Sequence, residues 1–271
     1  MSKPKIAVVI PLYNKFAYGR VAALSFFKYT NSPCHALVVD DASPKFGEQN
    51  WDSWHDGVKD PQTGKWLQEP LPRENITFHH FSENGGLTRS WNWGLQQARA
   101  MGAEYTICTN SDIHFTPHWE HGLLHHLDNG YQLVAPVTNA PGQTNGGRQR
   151  VQNFYPGYRV TDDAAYLRQV AEYLRSHEPI SKVIGGLPVN GFFMMARTET
   201  WWAGQFDKNL VFDPRKKMTG NEDELQTRWK KKGWKIGFVP SSFVFHYRAV
   251  SRGERYKHRG WHRIENIHKE V

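Results

Sequence analysis

The sequence predicts an α/β domain built on a mostly parallel sheet flanked by helices, and three observations predict it. Ile6–Ile10 and Ala36–Val39 are short runs without a polar member, the pattern of strands covered on both faces. Between them Gly19–Tyr29, carrying Val21, Leu24 and Phe27, reads as the helix of a β-α-β unit. Each run then stops at residues unsuited to a strand interior, Pro11 after the first and Asp40-Asp41 after the second.

Later elements follow the same logic. Residues 48–75 hold Trp51, Trp54 and Trp66 among Gly, Pro and mixed charges, and read as an insertion of loops beside the sheet. Ile76–Phe81 is a third strand. Gly85-Gly86 introduces a helix with Leu87, Trp91, Leu95 and Ala98 along one stripe. Tyr105–Thr109 is a fourth strand, ending at Asn110-Ser111-Asp112. Thr116-Pro117 offers an N-cap and a first-turn proline for a helix through Leu127. Leu133–Val137 is a strand, and Thr161–His177 a helix capped by Thr161, with Asp162 and Asp163 in its first turn. Asn190–Arg197 is a strand, Glu222–Lys232 a helix stopped by Gly233, and Trp234–Val239 and Phe243–Tyr247 are two further short strands.

Composition bounds the function. A chain of 271 residues can bury a sizeable core without covalent staples. Its two cysteines, Cys34 and Cys108, exclude a disulfide framework and a four-cysteine zinc site, and favour a reducing compartment. No apolar run approaches the ~20 residues needed to span a bilayer, and the run after Lys3 and Lys5 is too short for a signal-peptide core. The expectation is a soluble cytoplasmic protein. No linker divides the chain, so it reads as one domain.

Ligands of open parallel sheets bind beyond the carboxyl ends of the strands, where Asp40, Asp41 and Asp112 fall. Acids in such places also cap turns, so position alone assigns them no chemistry.

The motifs in order carry more. Val9-Ile10-Pro11-Leu12-Tyr13-Asn14, then Val38-Val39-Asp40-Asp41-Ala42-Ser43, resemble the opening of a family-2 glycosyltransferase with the GT-A fold. Asn84-Gly85-Gly86-Leu87 with Arg89, Asn92 and Gly94 is similar to that family's Asn-x-Gly helix. Thr109-Asn110-Ser111-Asp112-Ile113-His114 stands where its Asp-x-Asp metal motif belongs. Asn190-Gly191-Phe192-Phe193-Met194 resembles its acceptor-side strand. Asn221-Glu222-Asp223-Glu224-Leu225 with Arg228, Gly233 and Pro240 resembles its acidic helix segment, and His246 matches the histidine that follows.

The resemblance implies a Rossmann-like GT-A domain with a nucleotide-sugar half (1–115), an acceptor and catalytic half (116–250) and a basic tail (251–271). It implies metal-dependent, inverting transfer from a nucleotide-diphosphate sugar, with Mn2+ or Mg2+ easing departure of the diphosphate. Hard cations take oxygen ligands with an occasional imidazole; Asp112 is the first ligand expected, His114 the second in place of a carboxylate, and His246 a third. The base that accepts the acceptor's proton aligns with Glu222, or with Asp223 if the register slips by one; acids at a helix N-terminus also serve the helix dipole. Pro11, Tyr13, Asn14 and Ser111 are expected at the donor. Asp40 or Asp41 would accept from the base edge, which favours uracil or thymine, whose N3–H is a donor; a UDP-sugar is the favoured donor. Arg89, about 200° round the helix from Leu87, is free to face the diphosphate.

The acceptor is less defined. Residues 139–160 carry Arg148, Arg150 and Arg159 with Phe154, Tyr155 and Tyr158 and no acid, and the tail from 247 onward is rich in Lys and Arg. The net charge of +8 and this interleaving suit a polyanion, phosphates meeting Arg and Lys while bases stack on rings. The acceptor stays open between a saccharide or lipid-linked glycan and a polyanion such as DNA with hydroxylated bases, with a protein or small molecule beyond them. A second class of function is a non-catalytic nucleotide-sugar or nucleic-acid binding module on the same fold; the presence of Asp112, Glu222 and His246 together argues against it.

Overall fold

A computed structural model describes residues 3–142, 145 and 147–247. In chain order the elements are β1 (Ile6–Leu12), α1 (Phe16–Tyr29), β2 (Cys34–Asp40), α2 (Trp51–Asp56), β3 (Val58–Lys59), β4 (Trp66–Gln68), β5 (Ile76–His80), α3 (Leu87–Ala100) and β6 (Tyr105–Thr109). Then come β7 (Ile113–Phe115), α4 (Trp119–Asp128), β8 (Leu133–Val137), α5 (Ala164–His177), β9 (Ile184–Gly185), β10 (Phe193–Arg197), α6 (Thr198–Ala203), α7 (Asn221–Lys231) and β11 (Ile236–His246).

One sheet runs β5-β2-β1-β6-β10-β8-β11-β7, with β9 on β11. The β5, β2, β1 and β6 strands are parallel, as are β8 and β11; β10 lies antiparallel between β6 and β8. Every residue of β1 is buried because apolar side chains cover both faces. Ile6, Val8 and Ile10 pack with Ala22, Phe26 and Trp54 on one face; Ala7 and Val9 pack with Trp91, Leu95 and Ala98 on the other. Alternation along a strand sends successive side chains into the two cores. Gly94 lets α3 lie flush on the sheet, since a Cβ there would stand 2.3 Å from Val9 Cγ1.

Residues 48–75 form α2 and the β3–β4 hairpin beside α1, so the insertion has structure of its own. The N-caps of two helices differ from expectation. Thr116 donates to the Phe243 carbonyl at 2.6 Å, and α4 begins only after His118, whose φ is +63°. Asp163, not Thr161, caps α5, accepting from the Tyr166 amide at 2.6 Å. The last two expected strands are one, β11, whose pairing shifts register between Val239 and Phe243. Pro240 sits in that irregularity, where a missing N–H costs no ladder bond. Beyond it β11 runs antiparallel to β7 and sets His246 opposite Ile113.

Candidate active site

The end of β2 is a closed network. Asp40 is fully buried; it accepts from the Ser43 amide (3.0 Å), from the Ser43 hydroxyl and, within 2.8 Å, from His80 Nδ1. Asp41 accepts from the amides of Gly85 (3.0 Å) and Gly86 (2.7 Å) and pairs with Arg89. The Arg89 guanidinium also lies 3.9 Å over the Phe81 ring. All four carboxylate oxygens are thus engaged by the protein, and Arg89 is held against Asp41. The expectation of an Asp at the base edge, and of an Arg89 free to reach a diphosphate, gives way to a structural role. The cause is the Asn84-Gly85-Gly86 turn, whose amides need an acceptor when buried.

What remains open there is the β1–α1 loop. Pro11 is buried and Tyr13 is 45% exposed. Asn14 and Lys15 both adopt positive φ, 53° and 59°, a conformation non-glycine residues enter at a cost. The Asn14 amide donates to Ser43 Oγ at 2.6 Å, while its side-chain Oδ1 is buried without a partner.

Strands β6, β7 and β11 bring a second set together. The Tyr247 amide donates to the Asp112 carbonyl at 2.9 Å, which places Asp112 Oδ1 3.2 Å from His246 Nε2. The His246 ring is fixed from behind. Its Nδ1 lies 2.9 Å from the Ala140 carbonyl, which can only accept, so Nδ1 carries the proton. Asn139 clamps the same residue through its backbone, accepting from the His246 amide (2.8 Å) and donating to its carbonyl (3.0 Å).

Nε2 therefore faces a carboxylate oxygen at 3.2 Å, with Asn110 Nδ2 at 3.4 Å. Two electron-rich groups so close call for a proton or a cation between them. A histidine whose far nitrogen donates to a carbonyl is the usual posture of a metal ligand. Asp112 and His246 thus fit a divalent cation, with the remaining positions left to oxygens of substrate or water.

His114 does not join them. Its ring stacks on Tyr29 at 6.4 Å, its Nδ1 is buried without a partner, and burial, then Lys28 and Arg168, push its pKa down to about 4. Among the described residues no three His, Cys, Asp or Glu side chains gather as a ligand set. The residue two positions from Asp112 that does approach the site lies on the other side, Asn110. Ser111, half-buried, stands between them.

Glu222 opens α7. A Cβ at Gly191 would come within 2.8 Å of the Glu222 carboxyl carbon, so the Glu222 side chain lies directly against the backbone there. Burial, and less so the charge of Asp223, raise the Glu222 pKa above the ordinary carboxylate value against its own backbone hydrogen bond. Asp223, the next residue, is exposed. The chain continues from Gly191 into Phe192, whose ring stacks on His246 at 5.3 Å and whose carbonyl accepts from the Asn110 amide at 2.9 Å. Two consecutive residues therefore touch Glu222 on one side and the Asp112–His246 pair on the other.

Tyr18 and Tyr247 complete this wall, edge to face at 5.2 Å. Burial, with the charges of Asp112 and Asp162, holds both hydroxyls above the tyrosine range, so they stay neutral. Neither tyrosine, nor Asn110, nor Asn139 was foreseen as a site residue; Asn110 alone had a signal, its place two residues before Asp112.

Of the loop at 139–160, Arg148, Arg150 and Arg159 are exposed, but Phe154, Tyr155 and Tyr158 pack on the core. Tyr158 meets Phe243 and Tyr155 meets Tyr173, so these rings are not offered to bases as expected. The basic tail from 248 lies outside the described residues.

Residues 7–186 match the glycosyl transferase family 2 domain, and the chain belongs to that family. The fold is that of its solved relatives. It is similar to a crystal structure of GalNAc-T7 with UDP, GalNAc and Mn2+ (TM-score 0.60, 16% identity, 90% of this chain and 43% of that one). It is also similar to Staphylococcus aureus TarS 1-349, alone (TM-score 0.51, 14% identity) and with UDP (0.52, 13%), covering 89% of this chain and 60% of each of those. The chain thus spans about two to three fifths of the solved structures it matches. No curated protein sequence matches it. Among the described residues no helix is long and apolar enough to cross a membrane.

Proposed function

We propose that the chain transfers a sugar from a nucleotide-diphosphate donor, UDP-sugar favoured, to an acceptor hydroxyl with inversion. Asp112 and His246 would hold a divalent cation, Mn2+ or Mg2+, which when bound supplies Lewis-acid stabilisation of the departing diphosphate. The observation that supports this reading is the Gly191-Phe192 step, which brings the half-buried Glu222 and the Asp112–His246 pair to neighbouring residues.

The protein's own groups divide the work. Glu222, with a pKa raised by burial, takes the proton of the incoming hydroxyl; a base whose pKa lies nearer the working pH does so more effectively. The Ala140 carbonyl and Asn139 keep His246 presenting Nε2. Tyr13 offers an exposed ring face to the nucleoside, and Asn14 Oδ1 offers the unpaired acceptor that suits a base N–H such as uracil N3–H. Asp41 and Arg89 act on the donor through the turn they hold.

For the acceptor, the exposed Arg148, Arg150 and Arg159 favour an anionic partner, while the inward rings remove the stacking platform a DNA acceptor would use. An anionic glycan is the reading these two facts favour together.

The test is turnover of UDP-sugars with Mn2+, with and without candidate acceptors. Glu222→Gln should lower turnover by about 10²–10⁴-fold and leave UDP affinity unchanged. Unchanged turnover would remove Glu222 from the mechanism.

A further inference from the structure

Away from the strand ends, a cavity of about 200 Å³ lies between α1, α2 and the β3–β4 hairpin. One water needs only about 10–15 Å³ measured this way, so the space admits an organic ligand. None of Asp112, His246 and Glu222 lines it. Its wall is mixed: Phe16 and Trp54 are apolar, Gln49, Ser53 and Gln68 bring hydrogen-bonding groups, and Arg20 brings a charge.

Arg20 is the unusual member. It is 7% exposed, yet its one hydrogen bond among the described residues runs from an Nη to the backbone carbonyl of Glu69. Its Nε is buried with no acceptor. Among the described residues no carboxylate forms a salt bridge with it; Glu69 is exposed and acts on it only as a more distant charge, partly opposing the lowering of its pKa by burial. Buried arginines are ordinarily paired, because an uncompensated charge in a low-dielectric setting is strongly unfavourable. The guanidinium's planar fork fits carboxylates and phosphates, and here it faces a cavity that also has an apolar wall.

We propose that this cavity is a second binding site, distinct from the donor site, for a small anion on an apolar or ring-shaped body, its carboxylate or phosphate seated on Arg20. The anion supplies the missing counter-charge, Gln49, Ser53 and Gln68 donate to its remaining oxygens, and the body rests on Phe16 and Trp54. The site belongs to the 48–75 insertion and to the outer face of α1, so it does not depend on the transferase chemistry.

Calorimetric titration of the full chain with phenyl phosphate, benzoate and neutral benzamide tests this. The anions should bind saturably at one equivalent, benzamide should not, and excess UDP should leave the anion isotherm unchanged. The preferred anion tells a phosphate ester from a carboxylate as the natural head group. Arg20→Gln should weaken anion binding at least about tenfold, the scale of one charge-assisted hydrogen bond. Should that variant fail to fold, Ala17→Trp replaces it: Ala17 lines the cavity from an exposed helix position, and the indole would fill the space and abolish binding. Absence of saturable binding by either anion, equal binding of benzamide, displacement by UDP, or undiminished binding by Arg20→Gln or Ala17→Trp would each overturn the proposal.

Discussion

At the end of β2, Asp40 and Asp41 accept hydrogen bonds from Ser43, His80, Gly85, Gly86 and Arg89; at the ends of β6 and β11, Asp112 faces His246, and Glu222 rests against a glycine. Both regions put acids at the rim of the same sheet, where a parallel fold binds its ligands. The first set is saturated by the protein and holds a turn. The second sets a carboxylate 3.2 Å from an imidazole nitrogen and holds a half-buried carboxyl against a glycine, and it has bonding capacity left for a substrate. Partners, rather than position, separate an acid saturated by the fold from one with capacity to spare.

The largest effect that would sharpen the contrast is on stability. Asp41→Ala should remove about 3–5 kcal/mol, because it strands Arg89 and leaves two glycine amides without an acceptor. Urea denaturation measures it, and a loss of activity without loss of stability would move Asp41 into the second set. Next is Asn139→Ala, which removes a side chain that bonds His246 only at its backbone and also accepts from the Thr138 hydroxyl. It should weaken Mn2+ binding in the presence of UDP by about 10–100-fold with the fold intact, read by electron paramagnetic resonance.

The smallest effect is a pH slope. Glu222 has a folded-state pKa above its unfolded value, so between the two the folded chain binds more protons than the unfolded chain. Its contribution is therefore neutral below the unfolded pKa and increasingly unfavourable as pH rises through the folded one. Glu222→Gln should melt slightly higher than the parent at neutral pH, the gap closing as pH falls from the raised folded pKa to about 4.5, the ordinary glutamate value. A gap of opposite sign would mean that Glu222 is stabilised in its charged form.

Much of this architecture was legible in the sequence because doubly covered strands leave an unmistakable run. Tyr105–Thr109 and Leu133–Val137 were read with the bounds they have. What escaped was set by partners distant in the chain. Thr116 looks like an N-cap until Phe243 takes its hydroxyl, and β7 is three residues long, invisible without β11 beside it. The sequence reads β11 as two strands because the break at its bulge, between Val239 and Phe243, looks like a strand end until β8 is beside it. At the candidate site, Asp112, Glu222 and His246 came from the family resemblance, and the residues now placed around them, Asn110, Asn139, Phe192 and Tyr247, are joined by pairing across more than a hundred positions of sequence in the case of Asn139 and His246. Spacing puts His114 beside Asp112 but says nothing of which way a strand turns its side chains at a sheet's end, and the His114 ring stacks on Tyr29 instead.

The most direct test titrates Mn2+ into the protein with UDP present and compares His246→Gln with His114→Gln. A cation held by Asp112 and His246 predicts that the first variant loses Mn2+ affinity by about tenfold or more, the scale of about 1.4 kcal/mol, while the second binds as the parent does. Equal binding by all three proteins, or a greater loss in His114→Gln, would contradict the account.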